Sequence, residues 1–220
     1  MISLDKVELR YPGDAFRLSI PHLTVDAGEK LALIGPSGSG KTSLINAMAG
    51  IILPDKGTVR CGGNTVNTLS DAERRQFRLS GVGLIFQDFG LIEYLSVLDN
   101  VLLPYRINRV LTLNAEVIRR ARQLAQDLGV ATLLSKFPAT LSQGEKQRVA
   151  ICRALLPQPR LILADEATGN LDPDNKIRIL ELLFHAVEQH KATLIAVTHD
   201  HALLPFFDRV VDMTQLARGT

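Results

Sequence analysis

Hydrophobic and polar positions alternate through the first thirty residues, as in Leu18-Ser19-Ile20 and Leu23-Thr24-Val25, and the alternation breaks at Tyr11-Pro12-Gly13 and Ala27-Gly28. A period of two with Pro and Gly punctuation predicts antiparallel strands joined by turns. The pattern then changes. Leu31-Ala32-Leu33-Ile34 is an unbroken apolar run of the kind that parallel sheets bury on both faces, and it leads straight into a glycine-rich turn. A helix of about nine residues after Lys41 stops at Gly50, which is placed as a left-handed C-terminal cap. Thr58-Val59-Arg60-Cys61 returns as a strand. Ser70-Asp71-Ala72-Glu73 is a capping-box sequence that opens a short polar helix, and Val82 to Phe86 reads as another buried strand.

From Gln87 to about Pro157 the period lengthens. Val117, Ala121, Leu124, Ala125 and Leu128 recur at helical spacing and end at Gly129. This stretch predicts a helical subdomain, about 88–157, inserted between two halves of a sheet. Leu161-Ile162-Leu163-Ala164 and Leu194-Ile195-Ala196-Val197 are again short apolar strands. Between them Ile177, Leu180, Phe184 and Val187 form the apolar stripe of a crossover helix, with Asp172 as its cap and Pro173 at its first position. The expected fold class is therefore α/β in one domain, 1–220: a mainly parallel sheet core, an antiparallel N-terminal β subdomain and the helical insert.

Composition narrows the function classes. A hydrophobic fraction of 46% with 22% charged residues is ordinary for a globular chain of 220 residues. The formal charge of +2 does not mark a nucleic-acid binder. The densest basic group, Arg74, Arg75 and Arg78, shares its segment with Asp71 and Glu73 and reads as a solvated helix face. Cys61 and Cys152 stand far apart with no neighbouring ligand at metal-site spacing, which points away from zinc and redox chemistry and fits a reducing cytoplasm. Cys152 reads as a small buried hydrophobe. The first residues do not resemble a secretory signal. Pro, Gly or charge interrupts every apolar run before the roughly 20 residues of a membrane helix, so a membrane role is expected to come through a partner.

Gly35-Pro36-Ser37-Gly38-Ser39-Gly40-Lys41-Thr42 carries the spacing G-x-x-x-x-G-K-T between a strand and a helix. Glycines there let successive backbone N–H groups turn inward around phosphate oxygens, and the helix start adds its partial positive charge. Lys41 then reaches the β and γ phosphates of ATP, and Thr42 offers its hydroxyl to Mg²⁺. Asp165 and Glu166 end the strand 161–164, at the sheet edge where open α/β folds place ligands. Asp165 is suited to hold Mg²⁺ and Glu166 to polarise an attacking water. A phosphate loop with an acidic strand end is shared by kinases, GTPases and helicases, so these motifs alone leave the class open.

Four further segments close it. Leu141-Ser142-Gln143-Gly144-Glu145-Lys146-Gln147-Arg148 resembles the LSGGQ signature of ATP-binding-cassette (ABC) proteins. Phe86-Gln87 resembles their Q-loop, Ala167-Thr168-Gly169-Asn170-Leu171-Asp172 their D-loop, and Val197-Thr198-His199-Asp200 their switch histidine. The resemblance spans nearly the whole chain. It implies a magnesium-dependent ATPase with Glu166, His199 and Gln87 in catalytic roles and Thr42, Gln87 and Asp165 at the metal. Residues 35–42, Ser43 and a stacking Tyr11 would hold ATP. It further implies a second ATPase subunit in head-to-tail symmetry, whose ATP meets Ser142, Gln143, Gly144 and Glu145, and a transmembrane permease docking near 88–104. The chain would then lie on the cytoplasmic face of the membrane, held there by the permease.

The Gly-Asn-Leu-Asp run at 169–172, the segment 86–92 and the short tail are similar to ATPases of the lipoprotein-release, macrolide-export and cell-division group. Gln143 and Glu145 replace the commoner Gly and Gln, and Ala167 stands where Pro is frequent. Glu145 preserves the reciprocal cap with Ser142, while its charge beside a triphosphate opposes closure. Two alternatives stay open at this point. One is a soluble cassette acting on nucleic acid or the ribosome, although the chain has one cassette and no extended heptads. The other is a structural cassette that binds ATP without turnover, which intact Lys41, Asp165, Glu166 and His199 disfavour.

Overall fold

The computed structural model describes residues 2–10, 17–107, 110–166 and 173–216, with backbone alone for 173–175. The antiparallel unit comes from β1 (Ile2–Arg10), β2 (Arg17–Val25), β4 (Lys56–Cys61) and the two-residue β5 (Asn64–Thr65), in the order β2-β1-β4-β5. β3 (Lys30–Ile34), β6 (Val82–Ile85), β7 (Leu161–Asp165), β8 (Thr193–Val197) and β9 (Arg209–Asp212) build a second sheet in the order β6-β7-β8-β3-β9. Every pairing in it is parallel. The α/β expectation, with its antiparallel N-terminal unit, is met. β9 was not legible, because Arg-Val-Val-Asp offers only two apolar residues; it is held by pairing with β3, Leu31 opposite Arg209 to Ile34 opposite Asp212.

The unbroken apolar runs are explained by two-sided burial. In β7, Leu161 and Leu163 pack with β1, β2 and α1 (Lys41–Met48). Ile162 and Ala164 face the opposite core, with α3 (Val97–Arg106), α4 (Ala115–Asp127), α5 (Gln143–Leu155) and α6 (Pro173–Gln189). α1 and α4 both end as the sequence indicates. Gly50 and Gly129 take φ of 65° and 67°. Ile51 N donates to Asn46 O while Gly50 N donates to Ala47 O, and Val130 to Ala125 with Gly129 to Gln126 repeats the pattern. These paired bonds satisfy carbonyls that the helix itself leaves open.

Two expectations need correction. On α2 (Asp71–Gly81) the capping box at Ser70 and Glu73 is present, but the arginines do not form one solvated face. Arg74 Nη1 donates to Leu69 O and Arg78 Nη1 to Gly50 O, each at 2.8 Å, and only Arg75 of the three is exposed. The Gly50 carbonyl just past α1 and the Leu69 carbonyl just before α2 need donors, and the long guanidinium stems reach them while packing their methylenes. On α6 the buried face is Ile179, Leu180, Leu183, Ala186 and Val187, whereas Ile177 is 40% exposed. The period identifies a face, and packing against the core sets which side of it is buried. Asp172, expected as its cap, lies outside the described residues. Cys152 is fully buried, and that burial pushes its thiol pKa up to about 12.

The offset is testable by urea unfolding. Leu183→Ala should lower the unfolding free energy by about 2–4 kcal/mol, as buried Leu truncations do. Ile177→Ala should cost about 0.5 kcal/mol or less. Equal losses at the two positions would restore the stripe drawn from the sequence.

Candidate nucleotide site

β3 stops at Ile34, and six residues, 35–40, separate it from α1, which begins at Lys41. The turn between them is wound tightly. Gly35 has a φ of 144°, and a Cβ there would stand 2.9 Å from Ser39 Oγ and 3.2 Å from Met213 Cβ. Ser39 Oγ is buried without a hydrogen-bond partner among the described residues. Lys41 folds back over the loop and donates from Nζ to the carbonyls of Gly35 at 2.8 Å and Pro36 at 2.9 Å. Burial holds its ammonium below the usual lysine range, against the pull of Glu166 and Asp165.

Parallel register brings the other groups to the same edge. Asp165, the last residue of β7, lies opposite Val197, the last of β8, so the residues that follow each strand become neighbours. Glu166 N donates to Val197 O at 3.2 Å, and Glu166 takes a φ of 49°, uncommon for a residue with a Cβ. His199 Nε2 stands 2.7 Å from Glu166 Oε1. Burial pushes the Asp165 carboxyl above the usual range, opposed by a hydrogen bond with Thr42 and by the nearby Lys41 charge.

Ser37, Gly38, Gly40, Lys41, Thr42, Ser43, Gln87, Glu166 and His199 line one cleft of 530 Å³. Gly35, Pro36 and Ser39 complete the loop behind it, and Asp165 joins through Thr42. Tyr11 and the 167–172 segment lie outside the described residues. Among the described residues there is no cluster of three or more His, Cys, Asp or Glu that makes a metal cage by itself. A hydroxyl, an amide and a carboxylate from Thr42, Gln87 and Asp165 are nevertheless the hard oxygen donors that suit Mg²⁺, which keeps waters and phosphate oxygens as its remaining ligands. The donor set fits that ion.

Ser142, Gln143, Gly144 and Glu145 are not part of the cleft; they form the first turn of α5. Glu145 Oε2 accepts from Ser142 N at 2.7 Å and from Ser142 Oγ at 2.8 Å, while Glu145 N donates back to Ser142 Oγ at 3.3 Å. These bonds hold the Glu145 carboxyl below its usual range. The replacement of Gln by Glu in the signature thus keeps its charge on its own helix start, where the dipole favours it.

Two residues escaped the sequence reading. Arg153 of α5 is buried and donates from Nη2 to Phe89 O at 2.6 Å and from Nη1 to Gly90 O. It clamps the turn after Gln87, where Phe89 and Gly90 have φ of 63° and 54°. A lone charge inside the apolar run 149–156 was the available signal. Lys176 of α6 bonds Asp200 at 3.0 Å, next to His199. Asp200 N donates to Thr198 Oγ1 and Asp200 Oδ1 accepts from Ala202 N, both at 3.1 Å. The Lys176 hydrogen bond, first among several causes, holds the Asp200 carboxyl below its usual range. A lysine in a polar first turn gave no such signal.

Comparison with known proteins fits this geometry. The profile of the family described as ABC transporter matches residues 18–169. The lipoprotein-releasing system ATP-binding protein LolD of Treponema denticola is 38% identical over 85% of this chain and 82% of its own length. The macrolide export ATP-binding/permease protein MacB of Rhodopirellula baltica is 41% identical over 87% of this chain and 28% of its own. A solved dimeric ATP-binding cassette in a post-hydrolysis state, bound to ADP and Pi, superposes with a TM-score of 0.86 at 32% identity, covering 96% of this chain and 94% of that one.

The Lys176–Asp200 pair ties the loop bearing His199 to the start of α6 without touching the cleft. Lys176→Met should lower kcat for ATP hydrolysis about threefold to tenfold with KM for ATP unchanged, and Lys176→Arg should recover most of it. A rise in KM at constant kcat would show instead that the pair serves nucleotide binding.

Proposed function

The chain belongs to the ABC transporter family, and from that premise we propose how its residues divide the work of an ATP-hydrolysing subunit that powers a membrane transporter. The N–H groups of the 35–42 loop and Lys41 Nζ take the β and γ phosphates, Lys41 exchanging its two carbonyl partners for phosphate oxygens. Thr42, Gln87 and Asp165 hold Mg²⁺, which supplies positive charge to the phosphates. Glu166 accepts the proton of the attacking water, and His199, hydrogen-bonded to Glu166, keeps that carboxylate in place and faces the γ phosphate. Tyr11 stacks on adenine.

One observation carries the reading: the loop, the acidic strand end and His199 converge on a single cleft, while Ser142 stands elsewhere at the start of α5. The chain therefore holds half of a site twice over. A second copy related by a twofold axis would bring Ser142, Gln143, Gly144 and Glu145 to each γ phosphate and complete two sites together. The dimeric cassettes among the solved relatives support this arrangement. Loss of the γ phosphate removes the bridge, so closure and opening follow ATP binding and hydrolysis.

Similarity to LolD and MacB proteins favours a lipoprotein-release or macrolide-export type of complex, and it disfavours the nucleic-acid or ribosome alternative. No helix among the described residues is long and apolar enough to cross a membrane; attachment to the inner face of the membrane through a permease is the reading that the similarity to LolD and MacB proteins supports. The docking surface expected at 88–104 is better drawn as the groove of 340 Å³ between α2, β6, α3 and α5, which takes only Gly90, Leu103 and Pro104 from that window and adds Leu79, Phe86, Ile107 and Arg153. Tyr94, 81% exposed, does not line the groove.

Glu166→Gln should keep ATP binding, accumulate as a closed dimer on size exclusion with ATP, and lose turnover by about a hundredfold or more; undiminished phosphate release would remove Glu166 from its role. Carried into detergent-solubilised native membranes, the same variant should recover a membrane protein, and adding Ile107→Glu should abolish that recovery while basal hydrolysis of the Ile107→Glu single variant stays unchanged. Recovery of ribosomes or nucleic acid in place of a membrane protein would overturn the transporter reading and leave the ATPase standing.

A further inference from the structure

The parallel sheet has a second concave end. Its strands start in register, Val82 opposite Leu161 and Leu161 opposite Thr193, so the turns before β7 and β8 lie side by side. Thr193 N donates to Arg160 O at 2.9 Å across them. Against this edge lies a cavity of 870 Å³, larger than the nucleotide cleft. The five residues of β7 separate it from Asp165 by about 13–16 Å.

Its lining divides by chemistry. Ile2, Phe77 and Leu161 supply apolar lining, the first and last of them buried, and Arg160, His190 and Lys191 supply basic groups, with Arg160 and Lys191 exposed. Of the other cations near this end of the sheet, Lys30 meets Glu188 at 2.7 Å and Arg209 meets Glu29 at 2.6 Å, while Arg120, near His190, donates to Tyr105 Oη at 2.7 Å. Arg160 and Lys191 are exposed and have no ion-pair partner among the described residues. The acid lining the cavity, Glu73, is committed to Ser70, accepting from its N at 2.7 Å and its Oγ at 2.6 Å. Burial and the nearby Arg120 hold the His190 imidazole below its usual range, so at neutral pH it offers a hydrogen bond while the two flanking cations carry the charge.

We propose that this cavity binds a small anionic amphiphile, its charged head between Arg160, His190 and Lys191 and its apolar body on Ile2, Phe77 and Leu161. The volume falls in the range of about 300–1,000 Å³ typical of small-molecule sites, which pair an apolar lining with a few placed polar groups. A bare inorganic anion would leave the apolar lining wet, and a neutral apolar molecule would leave both cations uncompensated. None of the residues assigned to ATP or to the docking groove lines this cavity, although α2 contributes other residues to that groove.

The test is calorimetric titration of the full chain in saturating ADP, which fills the phosphate loop, with octyl phosphate as the probe beside inorganic phosphate and octyl glucoside. Octyl phosphate should bind at least about tenfold more tightly than either, and the Arg160→Glu/Lys191→Glu pair should weaken it at least about tenfold with ADP affinity unchanged. Lys191→Gln alone, at an exposed turn, should weaken it about threefold and guards against misfolding of the double variant. Inorganic phosphate binding as tightly as octyl phosphate, or an octyl phosphate affinity indifferent to these changes, would overturn the proposal.

Discussion

The site depends on the parallel register of β7 and β8. Because Asp165 is paired opposite Val197, the two strands end at one level, and the residues just past them meet. Glu166 then hydrogen-bonds the backbone at Val197, and His199 reaches its carboxylate at 2.7 Å. A slip of one residue would turn Leu161 and Leu163 to the wrong core and pull the acid and the histidine apart. Two-sided burial of these strands therefore fixes the chemistry as well as the fold: Ile162 and Ala164 lock one face, Leu161 and Leu163 the other.

What the sequence made legible follows from how local each cause is. Capping boxes at Ser70 and Ser142, the left-handed glycines at Gly50 and Gly129 and the phosphate loop are decided within a few residues, and the structure has them where the spacing puts them. β9 was hidden because its position comes from pairing with β3 rather than from its own four residues. The offset of the α6 stripe was hidden for a related reason: a period of 3.6 identifies a face, but which side of that face meets the sheet is set by packing. Arg153 and Lys176 were invisible as site residues since their partners, Phe89, Gly90 and Asp200, are distant in sequence.

Those two residues show how the cleft is tied to its surroundings. Arg153 carries a buried charge with no carboxylate bonded to it among the described residues, which is tolerable because two carbonyls at the left-handed Phe89 and Gly90 accept its hydrogens. The clamp joins α5, which begins at the signature serine, to the turn immediately after Gln87, and it also lines the groove proposed for docking. One guanidinium thus touches three regions to which the family assigns separate tasks. Movement of α5 toward a partner's nucleotide would draw on the same hydrogen bonds that shape the turn after Gln87.

Charge compensation distinguishes the two ends of the sheet. At the strand C-termini, cation and anion are interleaved: Lys41 lies among Asp165 and Glu166, His199 against Glu166, and Lys176 against Asp200. Such a set is balanced only in part, since burial works against both the Lys41 ammonium and the Asp165 carboxylate, and a nucleotide with its cation would alter both terms together. At the strand N-termini, Lys30 and Arg209 are paired with carboxylates, while among the described residues Arg160 and Lys191 are not. Lys191 stands just past the C-terminus of α6, where the helix dipole favours a cation, and neither it nor Arg160 packs as a core side chain. A fold that pairs Lys30 and Arg209 with carboxylates on the same edge, and leaves Arg160 and Lys191 lining a partly apolar cavity, has the physical ingredients of a second ligand site.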